Sequence, residues 1–182
     1  MVHQIGGQDE NLSPSFSYQF FHISKPPVEM TILKGVPRVL SPELLCALAR
    51  MGHGDFLVLA DANFPAECIA KTTTLGHCIR CDGHSVPVIL SAILKLMPLD
   101  TYSPPAAVMG VTPQDAGKVS TPIWKEYSDI IEKCDGRRID LEQIERFAFY
   151  EKSKSAFCII QTGESSLYGN LILTKGVLKA DE

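Results

Sequence analysis

Between Ser41 and Ala60 the chain sets a well-punctuated helix directly ahead of an uninterrupted apolar run, and this pair narrows the possible folds sharply. Ser41 is a natural N-cap, Pro42 suits the first turn, and Leu44, Leu45, Leu48 and Met51 recur at helical spacing before Gly52 stops the helix. The following run, Asp55-Phe-Leu-Val-Leu-Ala60, has strand length and no polar alternation. A half-exposed strand alternates, whereas a run apolar at every position suits a strand covered on both faces. Helices on both faces of one sheet provide that cover, so the fold expected is α/β.

The rest of the chain extends this pattern. Short strands are expected at Thr31 to Leu33, His77 to Arg80, Ala106 to Val111, Phe157 to Gln161 and Asn170 to Thr174. Helices are expected at Val86 to Met97, closed by Pro98, and at Trp124 to Cys134, entered through Thr121 and Pro122. A further helix is expected from Leu141 to Lys154, capped by Asp140, while the stretch after Asp61 to Pro65 reads as loop. Strands alternating with helices imply a substantially parallel sheet. Residues 1–29 stand apart, being polar and rich in turn formers, and are expected to be an extension, flexible or dispensable, to a single domain over residues 30–182.

Composition excludes several classes. With 182 residues the chain is one domain long, and 45% hydrophobic against 21% charged residues is globular composition. A net charge of −4 argues against nucleic acid, which demands clustered cations. The longest apolar stretch, Val86 to Leu99, is interrupted by Lys95 and falls short of the roughly 20 residues a membrane span needs. Residues 1–29 lack the basic and apolar segments of a secretion signal, so the six cysteines are expected to be thiols in a cytoplasmic protein. The Cys78-Ile-Arg-Cys81 pair with His77 and His84 lacks the distant second ligand pair of a structural zinc site and the helix-start context of a redox pair, so no metal is expected. Dinucleotide, P-loop, zinc-protease and calcium-loop motifs are missing, and Gly163 to Leu167 lacks the second glycine of a nucleophile elbow. Chemistry here is expected to run on bare side chains, with no cofactor, as proton transfer.

Two polar segments interrupt the apolar pattern. Met51-Gly-His53-Gly-Asp55 places a histidine between glycines at a helix–strand junction, and Asp61 and Asn63 follow the carboxyl end of the apolar strand, the edge where open α/β sheets bind ligands. Tyr150 falls on a helix, and Tyr168 and Asn170, two apart at a strand start, are expected to share a face. Carboxylates, an amide and hydroxyls suit a sugar, and an imidazole carries protons near neutrality. Structural roles compete: His53 as a helix C-terminal cap, Tyr150 as core with its hydroxyl at the rim, Asp61 as a turn cap.

Taken together, the segments Leu-Lys-Gly-Val-Pro (33–37), Leu-Ser-Pro-Glu-Leu-Leu (40–45), Ala-Leu-Ala-Arg-Met-Gly-His-Gly-Asp (47–55), Leu-Ala-Asp-Ala-Asn-Phe-Pro (59–65), Leu-Lys-Leu-Met-Pro-Leu-Asp-Thr-Tyr (94–102), Pro-Ala-Ala-Val-Met (105–109), Ile-Glu-Arg-Phe (144–147) and Leu-Tyr-Gly-Asn-Leu-Ile-Leu (167–173) resemble the RbsD/FucU family of sugar mutarotases. The resemblance runs from about Met30 to the end. It implies a three-layer α/β fold and cofactor-free interconversion of the anomers or ring forms of a free monosaccharide, L-fucose in the nearest branch, with ribose, or binding without turnover, as alternatives. It assigns His53 as proton donor and Tyr150 as the second catalytic group, with Asp61, Asp100, Tyr168 and Asn170 holding the sugar. It also implies a homo-oligomer, a ring-shaped decamer with its sites at subunit interfaces. Residues 1–29 have no counterpart in the family pattern, and residues 70–84 look longer than usual.

Overall fold

The computed structural model describes residues 33–178. Residues 1–29, and most of the strand expected at Thr31 to Leu33, lie outside the described residues; Leu33 itself is not in a strand. The elements in chain order are α1 (Pro42–Arg50), β1 (Phe56–Ala60), α2 (Ala66–Ala70), β2 (Cys78–Cys81), α3 (Val86–Ile93), β3 (Ala106–Met109), α4 (Pro122–Asp135), β4 (Glu142–Ile144), α5 (Arg146–Ser153), β5 (Cys158–Thr162) and β6 (Leu171–Thr174).

The six strands form one sheet in the order β2-β5-β1-β6-β3-β4. Neighbours pair in parallel except at β6, which runs against both β1 and β3. The mostly parallel sheet expected from the sequence is therefore present, with one reversed strand. β1 is central, and Leu57 to Ala60 are fully buried, as an apolar run without alternation requires. Its side chains supply two cores. Leu57 and Leu59 pack into a layer with Leu44 and Leu48 of α1, Leu90 and Ile93 of α3, and Tyr127 and Ile131 of α4. Val58 and Ala60 pack on the other face with Ile69 of α2 and Phe149 of α5. Helices thus cover both faces, in three layers.

Local signals set α1 and α4. The Ser41 side chain accepts from the Leu44 amide, and α4 ends on Gly136 in the left-handed conformation. The helix expected from Leu141 to Lys154 is a strand followed by a shorter helix. Glu142 to Ile144 pair with Ala107 to Met109 of β3, and the Gly110 amide donates to the Ile144 carbonyl. Glu145, not Asp140, caps α5: its carboxylate accepts from the Phe147 and Ala148 amides. Two further expectations change. The segment after Pro65 contains the single-turn helix α2, and the helix begun at Val86 ends at Ile93, with turns before Pro98.

Cys78 packs in the layer of α2 and α5, whereas Cys81 packs in the layer of α1, α3 and α4. The sheet separates the two sulfurs, so the CxxC spacing here serves two cores. Burial pushes the Cys81 thiol up to about 11 and Cys158 to about 12. His77 instead bonds Glu43 at 2.5 Å on the surface.

Candidate functional site

Each end of β1 carries a polar cluster. At its amino end, the turn after α1 is fastened from several sides. The Gly52 amide donates to the Asp55 carboxylate at 2.7 Å, and the Gly54 amide donates to the Lys175 carbonyl at 3.0 Å. The Lys175 ammonium donates to the carbonyl of Leu48 near the end of α1 at 3.1 Å and to that of the capping residue Met51 at 2.6 Å. His53 is therefore free of the capping role. Its Nε2 lies 3.1 Å from Asp100 Oδ1, its ring stands edge-on to Tyr102 at 5.5 Å, and its side chain is 46% exposed.

Asp100 is buried and densely bonded. It accepts from the Ser103 hydroxyl at 2.6 Å and from the Thr101 and Tyr102 amides at 2.8 and 3.1 Å. The Ser103 hydroxyl, then the Tyr102 amide, His53 and the Thr101 amide, hold its pKa well below the usual carboxylate range, against the opposing effect of burial. An aspartate so held is an orienting anion for an imidazole rather than a proton donor. A group with a lowered folded pKa contributes stability above its unfolded pKa, here 3.8, and loses it as pH falls through the folded value. Wild type is therefore expected to exceed Asp100→Asn in denaturant midpoint at pH 7, with the gap closing in strong acid. A gap that stays constant into acid would mean that packing, not charge, sets the difference.

At the carboxyl end of β1 lies a recess of about 190 Å³ lined by Asp61, Phe64, Met109, Asp115, Arg146, Tyr150, Tyr168 and Asn170, among others. Its floor is a reciprocal clasp. The Asp61 amide donates to Asn170 Oδ1 at 2.9 Å, and Asn170 Nδ2 donates to Asp61 Oδ2 at 2.6 Å. The Asn63 amide donates to the other Asp61 oxygen at 3.0 Å. Burial raises the Asp61 pKa, and these donors partly offset it. Gln161 Nε2 donates to the Asp61 carbonyl at 2.7 Å, so main chain and side chain are both fixed. Asp61 does act at a turn, but its carboxylate also faces the recess.

The walls come from two other segments. Tyr150 leans edge-on against Phe64 at 5.5 Å, and Arg146, one turn earlier on α5, donates Nε to its hydroxyl at 3.3 Å. The Tyr168 hydroxyl donates to Asp115 and is also bonded by the Thr112 amide and hydroxyl at 3.3 and 3.1 Å. Tyr168 has φ +60, which costs a side chain of this size about 1–2 kcal/mol. Tyr168 and Asn170 reach one recess, but not by strand alternation: β6 starts at Leu171, and the left-handed turn at Tyr168 aims its ring.

The six residues expected to form one site thus fall into two groups. Asp61, Tyr150, Tyr168 and Asn170 share the recess, whereas His53 and Asp100 form a pair at the far end of β1. Five strand residues at ~3.3 Å each separate these ends by about 16 Å. Asp115 and Arg146 join the recess without having been expected. Arg146 is four residues before Tyr150, a helical spacing that could have flagged it. Asp115 sits in a loop with no such signal.

A recess lined by carboxylate, amide and hydroxyl groups with aromatic edges, on a three-layer α/β fold, offers the donors and acceptors that a small polyhydroxylated molecule can use. Residues 34–178 match the model of the RbsD / FucU transport protein family, and the chain belongs to that family. It is 56% identical over 151 residues to a fucose mutarotase of Homo sapiens, covering 82% of this chain and 96% of the relative. It is 53% identical over 154 residues to a fucose mutarotase of Danio rerio, covering 84% and 99%. Among solved structures, the fucose mutarotase of Streptococcus pneumoniae in complex with L-fucose superposes with a TM-score of 0.73 at 43% identity, covering 81% of this chain and 100% of that one.

Proposed function

We propose that this protein is a mutarotase that interconverts the α and β anomers of L-fucose by acid–base ring opening and closure. The observation that carries the reading is the Asp61–Asn170 clasp at the floor of a recess whose walls offer the Tyr150 and Tyr168 hydroxyls. These groups can hold a sugar's hydroxyls in one orientation. Phe64 and Met109 add an apolar wall against which the methyl group of a 6-deoxy sugar packs, a feature ribose cannot use.

Ring opening requires the ring oxygen to gain a proton while the anomeric hydroxyl loses one. The open aldehyde then turns about its C1–C2 bond and recloses on either face. His53 is the proton donor, with Asp100 orienting its ring from 3.1 Å. Tyr150 takes part at the anomeric centre as a hydrogen-bond relay: its oxygen, which accepts from Arg146, takes up the anomeric proton as its own proton passes to solvent at the open recess. Asp61, Tyr168 and Asn170 bind the sugar.

His53 lies a strand's length from that recess, so a working site combines the recess of one chain with the histidine of a neighbour. Exposed Tyr102 beside His53, and exposed Phe147 and Leu167 beside the recess, are the surfaces such a neighbour would cover. A ring-shaped homo-oligomer, a decamer by family resemblance, meets this requirement, and a cytoplasmic setting suits its free thiols. Among the described residues no helix is long and apolar enough to cross a membrane.

Saturation-transfer NMR on L-fucose and D-ribose at two protein concentrations tests the reading. Catalysed exchange of L-fucose exceeding that of D-ribose, with specific activity falling on dilution below the assembly threshold, is the expected result. Sugar binding without exchange would make the protein a binding module, and preferred exchange of ribose would move the substrate assignment.

A further inference from the structure

The recess depends on a segment whose shape its own sequence does not favour. Tyr168 is the one non-glycine residue with positive φ among the described residues, and Asn170 follows two positions later. Asn and Asp tolerate this conformation through local hydrogen bonding, which tyrosine cannot do. Gly169, between them, has no room for a side chain: a Cβ would stand 2.9 Å from the Ser166 carbonyl and 3.0 Å from Glu164 Cγ. Something outside the segment must hold it in place.

Two donors from α4 are aimed at it. Trp124 Nε1 donates to the Tyr168 carbonyl at 2.9 Å, and the Tyr127 hydroxyl donates to the Gly169 carbonyl at 2.7 Å. Trp124 and Tyr127 are three residues apart, hence on one face of the helix. Both belong to the core layer of α1, α3 and α4, whereas Phe64, Tyr150 and Tyr168 of the recess pack with the layer of α2 and α5. The donors therefore come from the opposite layer, onto the turn that enters β6. Burial drives the Tyr127 pKa far up, so its hydroxyl stays a donor.

We propose that Trp124 and Tyr127 are positioning residues for sugar binding, clamping two successive carbonyls so that Tyr168 and Asn170 stay directed into the recess. With Asp115 and Thr112 holding the Tyr168 hydroxyl, both ends of that residue are fixed. The assignment rests on the proposed function for its ligand, but the clamp itself is a property of the fold.

Tyr127→Phe keeps the ring in the core and deletes the donor; Trp124→Phe does the same for the second bond. Two readouts apply to each: exchange kinetics with L-fucose, and hydrogen exchange of the amides of residues 163–170. A clamp predicts a KM raised about fivefold per donor, the worth of one ordinary hydrogen bond, with kcat little changed. It also predicts faster amide exchange confined to residues 163–170. Simple destabilisation would instead lower the active fraction, reducing apparent kcat at constant KM, and would speed exchange across the domain; that result overturns the proposal, as do wild-type KM and wild-type amide exchange. If the wild-type protein exchanges no sugar anomers, the proposed function fails, and the amide-exchange comparison alone then decides the clamp.

Discussion

Chains carrying His53→Ala and chains carrying Tyr150→Phe, each nearly inactive alone, are expected to regain anomer exchange when refolded together. The expectation follows from where the two groups sit. His53 precedes β1 and Tyr150 lines the recess beyond its other end, so one chain cannot bring both to one sugar without dismantling its central strand. Each positioned acid–base group is worth about 10²–10⁴-fold, so either single variant falls by roughly that factor. His53 is half exposed, and Tyr150→Phe removes one hydroxyl that Arg146 contacts from outside the core, so both variants should fold. In the symmetric assembly proposed above, each site would take its histidine from one subunit and its recess from the next. Random mixing then pairs an intact histidine with an intact recess in about a quarter of sites. Mixing the two variants after separate assembly, under conditions where subunits do not exchange, should restore nothing. Wild-type-like activity in a demonstrably monomeric preparation, or no recovery in mixed assemblies, would overturn the composite site.

Features governed by neighbouring residues were legible in the sequence. α1 and β1 fall within a residue or so of expectation because N-cap, proline, helical spacing and an apolar run are local signals. The error at residues 141–154 has the opposite origin. Glu142 to Ile144 become a strand because β3 offers an open edge, a partner over thirty positions away that helical spacing cannot reveal. Tyr150 nonetheless stays on a helix, because Glu145 supplies its own cap three residues after the misread point. The same distinction holds at the site. Asp61 was marked by its place beyond an apolar strand, and Asn170 by its place near another, but their clasp spans 109 positions and is made only by folding. The apolar run already set His53 and Asp61 at opposite ends of a strand; which distant side chains gather at each end, Asp100 beside His53 and Asn170 beside Asp61, is decided only by folding. Trp124 and Tyr127 were legible only as helix core, since the carbonyls they serve lie on a different segment.

Replacing Gly163 with alanine is expected to destabilise the fold more than any other single methyl group added near the recess. β5 ends at Thr162, and the chain then passes against the turn after β2, with the Gly163 amide donating to the His84 carbonyl at 2.8 Å. A Cβ at Gly163 would stand 2.1 Å from the Asp82 carbonyl oxygen and 3.2 Å from its carbon. The obstacle is backbone, which no rotamer change can move, so one of the two segments must shift. Overpacking of this kind costs on the order of 3 kcal/mol, and more where main-chain bonds break with it. The shift would also reach the recess. Glu164, the next residue, accepts from the Val86 amide at the start of α3 and from the Ser166 amide, while its carbonyl receives the Ala62 amide. Displacing Glu164 thus disturbs the segment that carries Tyr168 and the turn that carries Asp61 together. Gly83 provides the control in the same turn: a Cβ there meets nothing within 4 Å and its φ is not positive, so Gly83→Ala should be neutral or stabilise by about 0.4–1 kcal/mol. Denaturant unfolding of the two variants beside wild type measures the contrast. Equal midpoints for Gly163→Ala and Gly83→Ala would show that the Asp82–His84 turn yields freely, and that the close approach of these two segments does not hold the recess in shape.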